Sequence, residues 1–292
     1  MPSTRDIRRR IKSVKNTAQI TKAMQMVASS KMRRAQLAAL AGRPYAKLMN
    51  KMLADVSANA VDFSHPLMEK PESKKHCVVL VSSDKGLCGA LNSNLTREAL
   101  KFDKDTTVFV CAGKKGAQFV SRNKRNLAAE FTYKDAPTFA EARAISKFVQ
   151  ELFLKGEVAS VTVLYTNFIS TLVQKPDTRP LLPVGELKGV QAGVHGHETS
   201  VPLEQSGVEF LFEPGPGQVL GELLPHYLNF QIFQVLLEAK ASEQSSRMVA
   251  MKNATDNAKQ LIKDLTLEYN KLRQANITKE LLEITTAQMA LG

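Results

Sequence analysis

Apolar residues recur with two different periods along this chain, and the changes of period divide it into three parts. Near the N-terminus, positions 7, 11, 14, 18, 21, 25, 28, 32, 35 and 39 alternate steps of four and three, which places them on one stripe of a helix. They hold Ile7, Ile11, Val14, Ala18, Thr21, Gln25, Ala28, Met32, Ala35 and Ala39. So many small residues favour a close approach of a second helix. Ile20, Met24 and Val27 add an apolar face beside the first, and Ser3, Thr4 or Asp6 can cap the start. Gly42 and Pro44 predict a bend, after which Tyr45, Leu48, Met52 and Val56 continue a helical pattern toward Ala60.

The last quarter, residues 223–291, predicts one uninterrupted helix: no proline follows Pro225 and no glycine occurs before Gly292. A straight helix of that length would extend roughly 100 Å. Its stripe runs through Ala258, Leu261, Leu265, Tyr269 and Leu272, then Ile277, Leu281, Ile284 and Leu291; the step of five after Leu272 rotates it around the helix. A small α/β domain cannot cover two such helices, so they are expected to pair with each other, antiparallel. The longer C-terminal helix then carries an apolar tip beyond the pair, a surface that calls for a partner.

The middle of the chain changes period. After a polar, proline-containing linker over 66–75, the run 77–81 predicts a buried strand, and the turn that follows it leads into a helix ending near Leu100. Residues 106–111 predict a second strand, 113–122 and 139–154 two helices, and 158–165 another strand. Residues 174–206 read as a loop or edge hairpin, 208–212 as a last strand, and Pro214-Gly-Pro-Gly217 as the return to helix. The fold class is therefore α/β: a long antiparallel coiled coil of the N- and C-terminal helices plus a small Rossmann-like domain with a mostly parallel sheet. The expected segments are 1–62 (N-terminal helix), 63–75 (linker), 76–214 (α/β domain) and 215–292 (C-terminal helix).

Charge sharpens this picture. The net charge of +12 is concentrated in residues 1–34, where ten Lys/Arg face only Asp6. Residues 226–292 are nearly balanced, eight Lys/Arg against seven Asp/Glu, and so are built for packing. An Arg-rich, acid-poor start resembles a transit peptide in composition, but its unbroken heptad argues for mature structure. No apolar run is long enough to span a membrane. Cys77, Cys88 and Cys111 show no framework spacing, which fits a reducing compartment.

Three places invite a catalytic reading, and none completes one. Asp84-Lys-Gly-Leu-Cys-Gly89 lies between strand and helix, where phosphate loops sit, yet it matches neither G-x-x-x-x-G-K-[ST] nor G-x-G-x-x-G. Cys88 would gain acidity at a helix N-terminus, but no histidine is near in sequence to act as its base. His195-Gly-His197 has a chelating look in a polar loop without further ligands close by. Two other classes remain to be weighed. A nucleic-acid-binding coiled coil would use the basic arm, although residues 1–44 contain no aromatic side chain to stack on a base. A nucleotide-dependent enzyme would use the α/β domain, although the phosphate loop is missing.

Motifs at both ends and in the middle resemble the gamma subunits of F-type ATP synthases, bacterial type. They are Ile7-Arg-Arg-Arg-Ile-Lys-Ser-Val-Lys-Asn-Thr17, Ile20-Thr-Lys-Ala-Met24, Met26-Val-Ala28, Ser83-Asp-Lys-Gly-Leu-Cys-Gly89 with Leu91-Asn92, Arg247-Met-Val-Ala-Met-Lys-Asn-Ala-Thr-Asp-Asn-Ala258, and Tyr269-Asn-Lys with Arg273-Gln-Ala, Ile277-Thr278 and Glu280-Leu281. The resemblance implies a central rotor shaft without a catalytic site, cofactor or metal of its own. It turns inside three alpha and three beta subunits and stands beside epsilon on the membrane c ring. It also implies that Lys22, Met24 and Arg34 on the first helix, and Arg273, Gln274, Thr278 and Glu280 on the last, contact partner subunits. No nucleic-acid partner is implied, and the location expected is peripheral, on the cytoplasmic face of the cell inner membrane. Departures are Thr285-Thr-Ala-Gln288 where a small Gly-Ala pair is expected, and Asp84-Lys85 where Asp-Arg is common. The two-cysteine insertion of the redox-regulated plant form is missing between residues 190 and 215, so thiol regulation of that type is not expected.

Overall fold

The computed structural model describes residues 3–42, 44–46, 48–49, 51–53, 65–184 and 215–291. The chain divides into two compact units, one of Met1–Val27 with Met248–Gly292 and one of Ala28–Arg247. Two helices contribute to both: α1, Thr4–Ala41, and α5, Pro216–Leu291.

In the larger unit, β1 (His76–Val81), α2 (Leu91–Ala99), β2 (Thr107–Ala112), α3 (Lys114–Arg122), β3 (Asn126–Phe131), α4 (Phe139–Leu154), β4 (Ser160–Phe168) and β5 (Gln174–Leu182) follow in order. The five strands among the described residues lie as β3-β2-β1-β4-β5, parallel except for the β4–β5 pair. β1 is buried on both faces, so its sequence is a continuous apolar run. Cys77, Val79 and Val81 face a core shared with Ile145, Val149 and Phe153 of α4 and with Leu220, Leu224, Leu228 and Ile232 of α5. Val78 and Leu80 face the other way, toward Leu95 and Ala99 of α2 and Ala117 and Val120 of α3. Thr138 starts α4 with a capping box: its hydroxyl accepts from the Glu141 N–H, while the Glu141 side chain accepts from the Thr138 N–H.

The middle domain follows the predicted alternation, with one strand added. β3, Asn-Leu-Ala-Ala-Glu-Phe, has little intrinsic strand preference. It is an edge strand held by its ladder to β2, which sequence pattern does not report. β5 is the edge hairpin arm expected over the start of 174–206; it tolerates Pro176 and Pro180 because an edge strand can turn the missing N–H away from its neighbour. The strand expected at 208–212 and the His195–His197 loop lie outside the described residues.

Two further expectations change. α5 begins at Pro216, within the expected segment 215–292 but ahead of the uninterrupted helix expected over 223–291, and Pro225 sits inside it. A proline ring crowds the carbonyl four residues back, which here belongs to Gly221. Past the turn at Gly42, residues 44–46, 48–49 and 51–53 are helical as expected, but the buried face is Ala46, Met49 and Leu53. Tyr45, Leu48 and Met52 are exposed, although the Tyr45 hydroxyl meets His226 Nε2 at 2.6 Å and its ring lies against Phe230. Val56 is outside the described residues.

In the smaller unit α1 and α5 run antiparallel: Thr21 Oγ1 meets Thr255 Oγ1 at 2.7 Å, and Arg8 stacks over the Tyr269 ring. Every stripe position of α1 within this unit, from Ile7 to Gln25, is buried or half-buried. The facing stripe of α5 is Met251, Thr255, Ala258, Ile262, Leu265, Tyr269 and Leu272, a regular four-three alternation. Leu261, expected in the seam, is exposed, and Ile262 takes the place that this spacing requires. Ile20 and Val27 of the second apolar face are exposed, while Met24 is half-buried.

In the larger unit the α1 stripe continues through Ala28, Met32, Ala35 and Ala39, all buried, with Ala35 against Phe168 and Ala241. Ala35→Leu inserts about three methylene equivalents into a site closed on two sides. It is expected to cost about 1–3 kcal/mol, read as a lowered thermal midpoint by circular dichroism. Leu37→Ala, on the exposed side of the same helix, is expected to leave that midpoint unchanged.

Candidate partner-binding surface

The turn after β1 is where a phosphate site would have to lie. At α3 the amides are already engaged. The N–H of Lys114 donates to Asp84 Oδ1 at 3.0 Å, that of Lys115 to the Ser83 carbonyl, and that of Gly116 to Ser82 Oγ at 2.7 Å. A carboxylate thus occupies the position an anion would take at the start of α3 and repels one there. The rest of the turn is closed on itself. Ser83 Oγ donates to the Lys85 carbonyl, and the Asn92 amide donates to Ser83 Oγ and to Cys88 Sγ.

Cys88 is buried, as are Cys77 and Cys111. Burial pushes the Cys77 thiol up to about 12; burial, with Glu130 and Cys77 adding, does the same for Cys111. Both remain thiols until the pH approaches that value, so at pH 8 their thiolate fraction is about one part in ten thousand. Ellman's reagent at pH 8 is expected to modify none of the three cysteines in the folded chain and all three after denaturation.

α5 clasps this turn from outside. Ser246 Oγ donates to the Cys88 carbonyl at 2.7 Å, and Arg247 Nη2 reaches the carbonyls of Lys85 and Gly86, each at 3.3 Å. Between those carbonyls and Cys88 the chain passes through Leu87, at φ 62° and exposed, a left-handed conformation that costs free energy in a leucine. The clasp continues inward as a chain of alternating charges. Arg247 Nη1 is 2.7 Å from Glu243 Oε1, Glu243 Oε2 is 3.0 Å from Lys240 Nζ, and Lys240 Nζ is 3.4 Å from Asp135 Oδ1. Asp135 Oδ2 in turn meets Lys31 Nζ on α1. The Lys31 hydrogen bond, with the Lys240 charge beside it, holds the Asp135 carboxyl below the usual carboxylate range. Lys240 also lies over the Tyr133 ring, whose hydroxyl donates to the Ser82 carbonyl. Sequence reading missed this chain of charges. Its signal is faint: three charges, at 238, 240 and 243, inside an otherwise small and apolar stretch of helix.

The residues expected to contact partners fall into separate groups. Lys22 is exposed and Met24 half-buried on α1 within the smaller unit; Arg34 is exposed on the part of α1 that belongs to the larger one. Arg273, Gln274, Thr278 and Glu280 are all exposed on α5, past the end of the seam at Leu272. Helical spacing puts Arg273, Ile277, Glu280 and Ile284 on one ridge and Gln274, Thr278 and Leu281 on the next. These ridges mix apolar and polar groups, and Ile277, Leu281, Leu282, Ile284 and Met289 are each more than two-fifths exposed. The start of α3 thus has its amides engaged, and the two long helices leave ridges uncovered.

Comparison with known proteins gives the family. A model of the ATP synthase family matches residues 3–291. The ATP synthase gamma chain of Opitutus terrae is 50% identical over 295 residues, covering 99% of both chains; that of Methylacidiphilum infernorum is 46% identical over the full length of both. Among solved structures, the chain is similar to one in the Tetrahymena thermophila mitochondrial ATP synthase central stalk and c ring. That match has a TM-score of 0.59 at 28% identity and covers 80% of this chain and 99% of the other. It shares its fold with a chain of the Euglena gracilis enzyme, with a TM-score of 0.69 at 19% identity. The chain belongs to the gamma-chain family of ATP synthases.

Proposed function

We propose that this chain is the rotor shaft of an F-type ATP synthase. It couples ion-driven rotation of a membrane c ring to the cycling of three catalytic beta subunits and contributes no catalytic group itself. The observation that carries the proposal is the end of α5: the seam with α1 stops at Leu272, and the helix goes on to Leu291 with its ridges exposed. Exposed apolar ridges of that length need a receptor. In this reading Arg273, Gln274, Thr278 and Glu280 meet alpha and beta subunits near the top of the shaft. Lys22, Met24 and Arg34 meet an acidic lever surface on beta. The α/β layer stands on the c ring beside epsilon, peripheral to the cytoplasmic face of the cell inner membrane; no described helix is long and apolar enough to cross a membrane.

An asymmetric shaft presents a different face to each beta subunit, and those differential contacts bias the three sites toward different states. Native mass spectrometry of the complex that co-purifies with a tagged copy from detergent-solubilised membranes tests the reading. One copy held with three copies each of two ATPase subunits is expected; a free monomer or homodimer at low salt overturns it.

A further inference from the structure

A shaft that carries torque must not slip against the layer it turns with, and the packing of α1 in the larger unit resists slipping poorly. Its buried stripe there is Ala28, Met32, Ala35 and Ala39, three of them alanines, with Ala35 against Phe168 and Ala241. Small side chains allow close approach, but they interdigitate shallowly and their contacts are non-directional. The charge chain supplies what they lack. Lys240 and Glu243 are almost fully buried, and each has two opposite charges within ion-pair distance: Asp135 and Glu243 for Lys240, Lys240 and Arg247 for Glu243. Through Asp135 the chain reaches Lys31 on α1; through Arg247 it reaches the carbonyls of the turn after β1. Three parts of the unit besides α5 are thereby pinned to one rotational and axial setting: α1, the connector between β3 and α4, and the turn after β1. Buried ionic groups are best attested in that register-setting role, since hydrophobic replacements often match them in stability.

We propose that Lys240 and Glu243 are positioning residues of a register lock which, with Asp135 and Lys31, fixes α1 and α5 against the sheet layer and carries torque between them. The proposal rests on the rotor reading. Its test is the number of ions pumped per ATP hydrolysed by the whole complex in inside-out membrane vesicles. Ion uptake is followed by acridine-dye quenching for protons or by radioactive sodium, and hydrolysis by phosphate release.

The paired replacement Lys240→Met with Glu243→Gln removes both central charges together, leaving Asp135 with Lys31 and Arg247 with the carbonyls of Lys85 and Gly86. It is expected to assemble, to hydrolyse ATP within two-fold of the unmodified rate, and to pump at least three-fold fewer ions per ATP. Asp135→Asn, at a half-exposed position that tolerates the change, is expected to lower the ratio about two-fold alone and to add nothing to the paired replacement, because all three act on one lock. Lys240→Arg, which keeps the cation, is expected to pump normally. An unchanged ratio in the paired replacement overturns the proposal, as does loss of assembly in every variant including Asp135→Asn, which would mark the chain of charges as a folding element. If the unmodified chain does not co-purify with ATPase subunits, the rotor reading falls first and takes the lock with it. Uncoupling absent in variants whose parent does assemble falls on the lock alone.

Discussion

Gly113→Ala is expected to lower the stability of the α/β layer by roughly 3 kcal/mol or more, seen as a shift of the urea midpoint without a change of slope. Gly113 joins β2 to α3 at φ 108°, outside the range that residues with a side chain adopt at low cost. A Cβ there would lie 2.2 Å from the Ser82 carbonyl oxygen, a backbone atom that cannot swing aside. That carbonyl accepts from Tyr133, and the Ser82 N–H donates to Ala112. Moving it breaks the hub that joins the ends of β1 and β2 to α3. The strain is about 1–3 kcal/mol and the displacement about as much again. Gly86→Ala is the control: nothing lies within 4 Å of its Cβ position, and the midpoint is expected to stay within about 0.5 kcal/mol of the parent.

Lys240→Ala is expected to cost about 3–5 kcal/mol, because it breaks a buried pair, leaves Glu243 with Arg247 as its one ion partner among the described residues and loosens Asp135 in one step. The Lys240 side chain is only 4% exposed and that of Glu243 5%, so little water can replace the lost partner. Replacing Lys240 and Glu243 together by Met and Gln is expected to recover most of that loss, leaving about 1 kcal/mol. A double-mutant cycle built from Lys240→Met, Glu243→Gln and the pair therefore returns a large coupling between the two sites on the thermal midpoints. A paired cost equal to the sum of the two single costs would show that the buried charges do not interact.

The sequence made the periodic parts of this fold legible. The α1 stripe from Ile7 to Ala39 is buried or half-buried position by position, because two helices in contact must repeat their seam every three or four residues. α4 runs from Phe139 to Leu154 as its pattern and capping box require. Legibility failed where one residue pattern allows two answers. Leu261 and Ile262 are both apolar, and only the partner helix decides which faces it. Tyr45, Leu48 and Met52 follow helical spacing as well as Ala46, Met49 and Leu53 do, and it is the latter set that is buried. β3 was invisible because an edge strand is made by its neighbour's backbone. Of the surface, the exposed ridge beyond Leu272 was foreseen from the length of α5. The chain of charges from Lys31 to Arg247 was not: Lys240, Glu243 and Arg247 are near neighbours on one helix, but the pairs that tie them through Asp135 to Lys31 join residues about a hundred positions apart and leave no local trace.

The two edges of the sheet are unlike, and that difference bears on how the chain behaves when handled alone. β5 carries Pro176 and Pro180, so its outer row of hydrogen-bond donors is broken twice and offers a poor template for another strand. β3, at the opposite end of the strand order, has no proline, and Glu130 is its one charged residue. Among the described strands, β3 is therefore the edge that another strand would pair with more easily. A lysine placed at Ala128, whose side chain already points to solvent, would guard that edge without touching either long helix.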